Sequence, residues 1–196
     1  YKPLAEKLRP SELNDFIGQR HLLDSDKPIG KALSERQLHS MILWGPSGVG
    51  KTTLARIICA QMGAHFEQMS AVLDGIKELR NVIKHAELYK QNDTSTILFV
   101  DEIHRFNKAQ QDAFLPHIES GLITLIGATT ENPSFEINSS VLSRARVYIL
   151  NKLSSKELES IAVRAMTDQA ITLENDGSLS LIIDSSDGDA RRLINI

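Results

Sequence analysis

Short, nearly unbroken apolar runs alternate along the chain with longer stretches in which apolar residues recur every three or four positions. The runs "SMILW" (40–44), "HFEQMS" (65–70), "TILFV" (96–100), "TLIGATT" (124–130) and "VYIL" (147–150) predict five strands. Between the first two, Leu54, Ile57, Ile58 and Met62 fall on one face of a helix over 52–62. Ile76, Leu79, Ile83 and Ala86 do the same on a helix from Asp74 to about Tyr89. "QNDTS" (91–95) reads as a loop, and Asn107 as the cap of a helix continuing towards Leu115. Strands that are apolar along their length and separated by helices predict an α/β fold, with a parallel sheet covered on both faces.

After Leu150 the pattern changes to helices only. Ser154 with Glu157 forms a possible capping box ahead of "SKELESIAVRAM". The expected division is a nucleotide-binding core over 1–150 and an incomplete helical segment over 151–196. The chain opens at Tyr1 and stops within a helical pattern at Ile196, so a longer parent chain is expected.

Composition narrows the field. The 196 residues are 41% hydrophobic and 24% charged, which supports one sizeable core. No run approaches the roughly 18 apolar residues of a membrane span, and no signal peptide is visible. A net charge of -3 argues against gripping DNA by bulk charge and leaves a local basic face open. The single cysteine, Cys59, excludes an internal disulfide and reads as a small core side chain in a reducing compartment. The six histidines show no zinc-like spacing. His104, Arg105 and Lys108 read as a basic, solvated helix start, or else as a DNA-facing patch.

The chemistry sits at the ends of the predicted strands. Gly45, Pro46, Ser47, Gly48, Val49, Gly50, Lys51 and Thr52 match the phosphate-loop pattern, between an apolar strand and an amphipathic helix. Its glycines let backbone N–H groups face phosphate oxygens, Lys51 can reach the β and γ phosphates, and the Thr52 hydroxyl can ligate Mg²⁺. Asp101 and Glu102 follow "ILFV" at the strand edge where parallel sheets bind ligands. Asp101 would hold Mg²⁺ and Glu102 would orient the attacking water, against the competing reading of a solvated acidic strand end. "NKLS" (151–154) lacks the aspartate of a guanine-reading motif, so adenine is the expected base. At the end of "LIGATT", β-branching alone accounts well for Thr129 and less well for Thr130. Arg144 and Arg146 in "SRAR", and Arg191 and Arg192 in "GDARR", are solvated charges or anion contacts.

The phosphate loop, "VDE", "GATT", "SRAR" and "GDARR" occur in the order of an AAA+ ATPase. "LAEKLRPSELNDFIGQRHLL" (4–23) resembles the adenine-side segment of the clamp-loader clade. "HRFNKAQQDAFLPH" and "GATTENPSF" resemble the RarA/MgsA family of replication-associated recombination proteins. Ser47 stands where a second proline is common. The resemblance implies a P-loop NTPase core, then a helical lid, with a C-terminal assembly domain absent. It implies ATP or ADP with Mg²⁺ (Thr52, Asp101), and nucleotide contacts from Arg9, Pro10, Ile17, the loop 45–52, Thr53 and Arg191. By the same resemblance Thr130 is the first sensor, with Asn132 second in line. Arg144 is the finger that reaches a neighbour's ATP, and Arg191 is the second sensor, with Arg146 and Arg192 as their respective runners-up. Expected partners are DNA junctions, ends or gaps, single-stranded-DNA-binding protein, and further copies of the chain as a tetramer. The expected location is the bacterial cytoplasm, near the nucleoid.

The function expected on this basis is a DNA-stimulated ATPase acting in replication-fork maintenance, recombination and damage tolerance. Two alternatives stand beside it. One is a clamp-loader-like subunit that gates protein assembly. The more remote is a P-loop kinase for a small metabolite, against which the Asp101-Glu102 pair argues by favouring water as the acceptor.

Overall fold

Five strands, β1 (Met41–Trp44), β2 (His65–Ser70), β3 (Thr96–Asp101), β4 (Ile123–Thr129) and β5 (Arg146–Ile149), form one parallel sheet in the order β2-β3-β4-β1-β5. The computed structural model describes residues 3–171 and 177–196. Residues 172–176, inside the predicted helical segment, lie outside the described residues.

Alternation along the strands sorts the core into two layers. On β3, Leu98 and Val100 face a cluster with Leu79, Val82, Ile83 and Phe114, while Ile97 and Phe99 face one with Leu54, Ile58 and Leu43. The central strands are therefore apolar throughout, as a sheet covered on both sides requires. β2 and β5 are edges and show it: Val147 and Ile149 of the predicted apolar strand are exposed.

Three short helices, α1 (Leu4–Lys7), α2 (Arg20–Leu23) and α3 (Pro28–Ser34), precede β1. α4 (Lys51–Met62) follows β1 and α5 (Ile76–Gln91) follows β2. After β3 come a 3-10 turn (Ile103–Arg105), α6 (Lys108–Asp112) and α7 (Leu115–Glu119). Asn107 caps α6 through a reciprocal box with Gln110, but the predicted helix stops at Asp112. Pro116 lacks an N–H and is accommodated only in the first turn of a new helix, α7. α8 (Pro133–Glu136) and α9 (Ser139–Leu142) link β4 to β5.

After β5, α10 (Ser155–Gln169), α11 (Ser178–Ser186) and α12 (Ala190–Asn195) pack around their own small cluster of Leu153, Leu158, Ala162, Ile183 and Leu193. The Ser154–Glu157 capping box opens α10. Among the described residues, no helix is long and apolar enough to cross a membrane.

Candidate nucleotide-binding site

Strand order brings the chemistry together. β4 lies between β3 and β1, so the loop after β1 and the carboxylates after β3 flank the end of β4. Gly45 N–H donates to the Thr129 carbonyl at 3.1 Å, fixing the start of the loop to that end.

The loop then turns through left-handed backbone at Gly48 (φ 68°) and Gly50 (φ 98°). A side chain at Gly48 would put its Cβ 1.8 Å from Asp189 Oδ1, and one at Gly50 would meet the Phe16 ring at 2.8 Å. Both positions thus need glycine for conformation and for space. Gly50 leads directly into α4, whose first N–H groups point back at the loop. Lys51 opens α4, is buried, and donates from Nζ to the carbonyls of Gly45 (2.6 Å) and Pro46 (2.8 Å). Burial pushes its ammonium below the ordinary lysine value, while Glu102 and Asp101 pull the other way.

At the end of β3, Asp101 Oδ1 accepts the Glu102 N–H at 3.2 Å. Glu102 itself adopts a left-handed conformation (φ 52°, ψ 42°). For a residue with a Cβ this costs of order 1–3 kcal/mol, and such strain gathers at functional sites. Its carboxylate lies 3.4 Å from His104 Nε2. The expectation of a solvated helix start is wrong for His104. Its side chain is only 8% exposed, because the 3-10 turn folds it under Glu102 and against Thr129.

A cleft of about 470 Å³ opens between these groups, the N-terminal segment and the three-helix unit. Its lining includes Arg9, Pro10, Ile17, Ser47, Gly48, Val49, Gly50, Lys51, Thr52, Thr53, Asp101, Glu102 and Arg191. Gly45 and Pro46 stand behind it and present their carbonyls to Lys51. Sequence reasoning missed Phe16, Ile161 and Arg164, which also line it. Phe16 sits beside Ile17, one of the expected nucleotide contacts, but nothing local distinguishes Arg164 from the other charges of α10.

One side of the cleft is basic. Arg9 pairs with Glu6 at 2.6 Å, yet its guanidinium is pushed below the ordinary value, first by burial and then by the nearby Arg56 and Arg191. Arginines from the N-terminal segment and from α12 thus converge on one side of the cleft. α12 is also fixed to the loop, since Ala190 N–H donates to the Gly48 carbonyl at 3.2 Å. Asp189 caps α12 by accepting the Arg192 N–H at 2.9 Å.

Five predicted groups stand apart from the lining, among them Arg192, which is exposed on α12. Thr130 lies just past β4 and is half-buried, whereas the Thr129 hydroxyl is fully buried and hydrogen-bonded. The Asn132 side chain caps α8 by accepting the Ser134 N–H. Arg146 is exposed on β5. Arg144 is held outside the cleft by Glu119, with Nε 2.6 Å from Oε1, and donates to the Ser140 carbonyl and Ser143 Oγ at 2.9 Å each.

Within the N-terminal segment 4–23, Gln19 has a structural role that no local pattern revealed. Gln19, left-handed at φ 58°, donates from Nε2 to the Asn151 carbonyl (2.8 Å) and accepts the Asn151 N–H (2.9 Å). It thereby fastens the N-terminal segment to the junction between sheet and helical unit. "NKLS" is likewise structural, with Lys152 paired to Asp187.

The family description of the Holliday junction DNA helicase RuvB P-loop domain matches residues 8–146. The chain belongs to this family of AAA+ P-loop ATPase domains. Its likeness to replication-associated recombination protein A of Escherichia coli K12 runs over the whole chain, at 52% identity, and covers 45% of that protein. The ATPase WRNIP1 of Dictyostelium discoideum is 46% identical over the whole chain, which covers 23% of it. The resemblance carried by the motifs therefore holds across the chain, which spans about half the length or less of these curated relatives. The RuvB Holliday junction branch migration motor of Thermotoga maritima superposes with a TM-score of 0.80 at 31% identity, covering 96% of this chain and 63% of that one. The five-stranded parallel sheet with its flanking helices is the architecture that the strand pattern predicts, and the AAA+ assignment that the motif resemblance implies holds with it.

Proposed function

We propose that this chain is the ATP-binding and hydrolysing part of an oligomeric ATPase that responds to DNA and acts in replication-fork maintenance and recombination. One observation carries the reading: Lys51, Thr52, Asp101 and Glu102 meet Arg9 and Arg191 in a single cleft, over a loop whose positive-φ glycines leave its backbone open to an anion.

The residues fit ATP with Mg²⁺. A hydroxyl (Thr52) and a carboxylate (Asp101) are the hard oxygen donors that Mg²⁺ takes, and the bound ion would neutralise phosphate charge. Lys51 supplies a positive charge to the phosphates, and Glu102 aligns and polarises water. Thr130, past the end of β4, serves as first sensor. Arg191 touches the phosphates from the helical unit, which acts as a lid over the core of residues 1–150. Arg144, outside its own cleft, completes that of a neighbouring copy. The relatives' names as replication-associated recombination proteins supply the cellular setting. Single-stranded-DNA-binding protein, a tetrameric assembly and a cytoplasmic, nucleoid-associated location complete the proposal.

The test uses the full-length protein. Lys51→Ala is expected to lose nucleotide affinity in a fluorescent-ATP titration. Glu102→Gln is expected to bind ATP normally and to hydrolyse it about 10²–10⁴-fold more slowly. Wild-type turnover in Glu102→Gln would remove the role assigned to the cleft.

A further inference from the structure

Three side chains from two elements form a chain that the nucleotide contacts do not use. The Thr129 hydroxyl, at the end of β4, lies 2.8 Å from His104 Nδ1, and His104 Nε2 lies 3.4 Å from Glu102 Oε2. Thr129 is fully buried, and its Oγ1 also accepts the Glu131 N–H at 3.0 Å and lies 3.3 Å from the Glu131 carbonyl. The Glu102 carboxylate favours one arrangement over its tautomer, in which Nδ1–H would donate to Thr129 Oγ1 and the hydroxyl to the Glu131 carbonyl. A carboxylate beside Nε2 favours the tautomer with its proton there, which leaves Nδ1 to accept the shorter Thr129 O–H bond. At 3.4 Å, Nε2 approaches Glu102 as a dipole facing a charge, not as a closed hydrogen bond.

We propose that His104 is a positioning residue for ATP hydrolysis: it transmits an orienting contact from Thr129 on β4 to the carboxylate of Glu102. The inference rests on the reading of Glu102 as the group that aligns the attacking water. It explains a histidine at this position. A rigid ring with an acceptor on one edge and a donor on the other is needed to bridge a hydroxyl and a carboxylate. Lying under Glu102, the ring also packs against a residue whose backbone sits in the left-handed region. Because Thr129 directly precedes Thr130, the contact ties Glu102 to the strand end that carries the proposed sensor.

Three substitutions at two positions test this in the full-length protein. His104→Phe fills the same space without hydrogen bonds, and His104→Gln restores a donor near the position of Nε2. Thr129→Val cuts the far end of the chain. The expectation for His104→Phe is a kcat lowered about tenfold or more, with ATP affinity and Tm near wild type. His104→Gln should recover part of that loss, and Thr129→Val should lower kcat less than His104→Phe does. In a Glu102→Gln background, single-turnover assays should show no further loss from His104→Phe, since its effect runs through that carboxylate. Should Glu102→Gln itself hydrolyse ATP normally, the reading of Glu102 fails and the inference falls with it. If Glu102→Gln is inactive while His104→Phe keeps wild-type kcat, the reading stands and the inference alone is overturned. Equal losses in Phe and Gln, or an undiminished loss on the Glu102→Gln background, overturn it as well. If His104→Phe does not fold, wild-type kcat in both Thr129→Val and His104→Gln overturns it, and a loss in Thr129→Val that exceeds that in His104→Gln supports it.

Discussion

On the sheet side of the cleft, Lys51, Asp101 and Glu102 stand on strand ends and a helix start whose neighbours, including Leu43, Leu54, Phe99 and Val100, are fully buried. On the opposite side, Arg164 and Arg191 stand on helices gathered around Leu153, Leu158, Ala162, Ile183 and Leu193. The first wall shares its core with the five-stranded sheet, while the second has a small core of its own. Local opening follows the amount of buried apolar contact, so the helical wall is expected to open at lower cost than the sheet. The groups proposed to do the chemistry thus sit on the sheet side, and the group proposed to sense the nucleotide sits on the wall with the smaller core.

The largest expected effect asks whether two walls suffice. Arg144 belongs to neither, being tied to Glu119 outside the cleft. Arg144→Ala is expected to lower kcat by about 10³–10⁵-fold, as removal of an arginine finger does. Mixing Arg144→Ala with Lys51→Ala subunits should then restore ATPase activity, because each supplies what the other lacks. Wild-type turnover in Arg144→Ala would show that the two walls are complete by themselves.

A second, smaller effect separates the walls. Leu98→Ala removes a fully buried side chain of β3 and should cost about 2–5 kcal/mol in urea unfolding. Leu158→Ala should instead speed amide exchange in α10–α12 and weaken ATP binding, with a smaller shift of the main transition. Equal shifts of one transition by both would show a single cooperative unit.

The smallest effect concerns the outer strand. Burial, helped by Arg146, holds the His39 imidazolium below the ordinary histidine value, and Nε2 pairs with the Tyr148 hydroxyl at 2.7 Å. The unfolded chain therefore takes up this proton more readily. Stability from His39 is lost as pH falls from the ordinary histidine value to the lowered one, and the penalty is complete below both. His39→Asn should flatten the stability–pH curve in that window while leaving nucleotide affinity unchanged.

What could be read from sequence follows the range of the forces involved. The central strands are legible because both faces are buried, so residues such as Ile97 to Val100 form an uninterrupted apolar run. The phosphate loop is legible because its glycines are fixed by local backbone geometry. The Cys59 reading also fits, since burial pushes its thiol up to about 11 and its Sγ donates to the Ala64 carbonyl. The misreadings involve partners distant in sequence. His104 reads as exposed until β4 brings Thr129 beside it. The continuity expected from Asn107 to Leu115 is the local exception: it fails ahead of Pro116, which has no N–H to continue the helix. Arg164 reaches the cleft only through the packing of α10.

The bond pair between Gln19 and Asn151 has a practical consequence for exchanging parts between relatives. A splice at Leu150 looks natural from the change in hydrophobic pattern, but it separates Asn151 from the residue that holds it, and it falls one residue beyond the Ile149 carbonyl that contacts His21 at 2.9 Å. Both bonds end on main-chain atoms of Asn151, so a chimaera joined after β5 keeps this seam only if its N-terminal part still presents Gln19 in the left-handed turn.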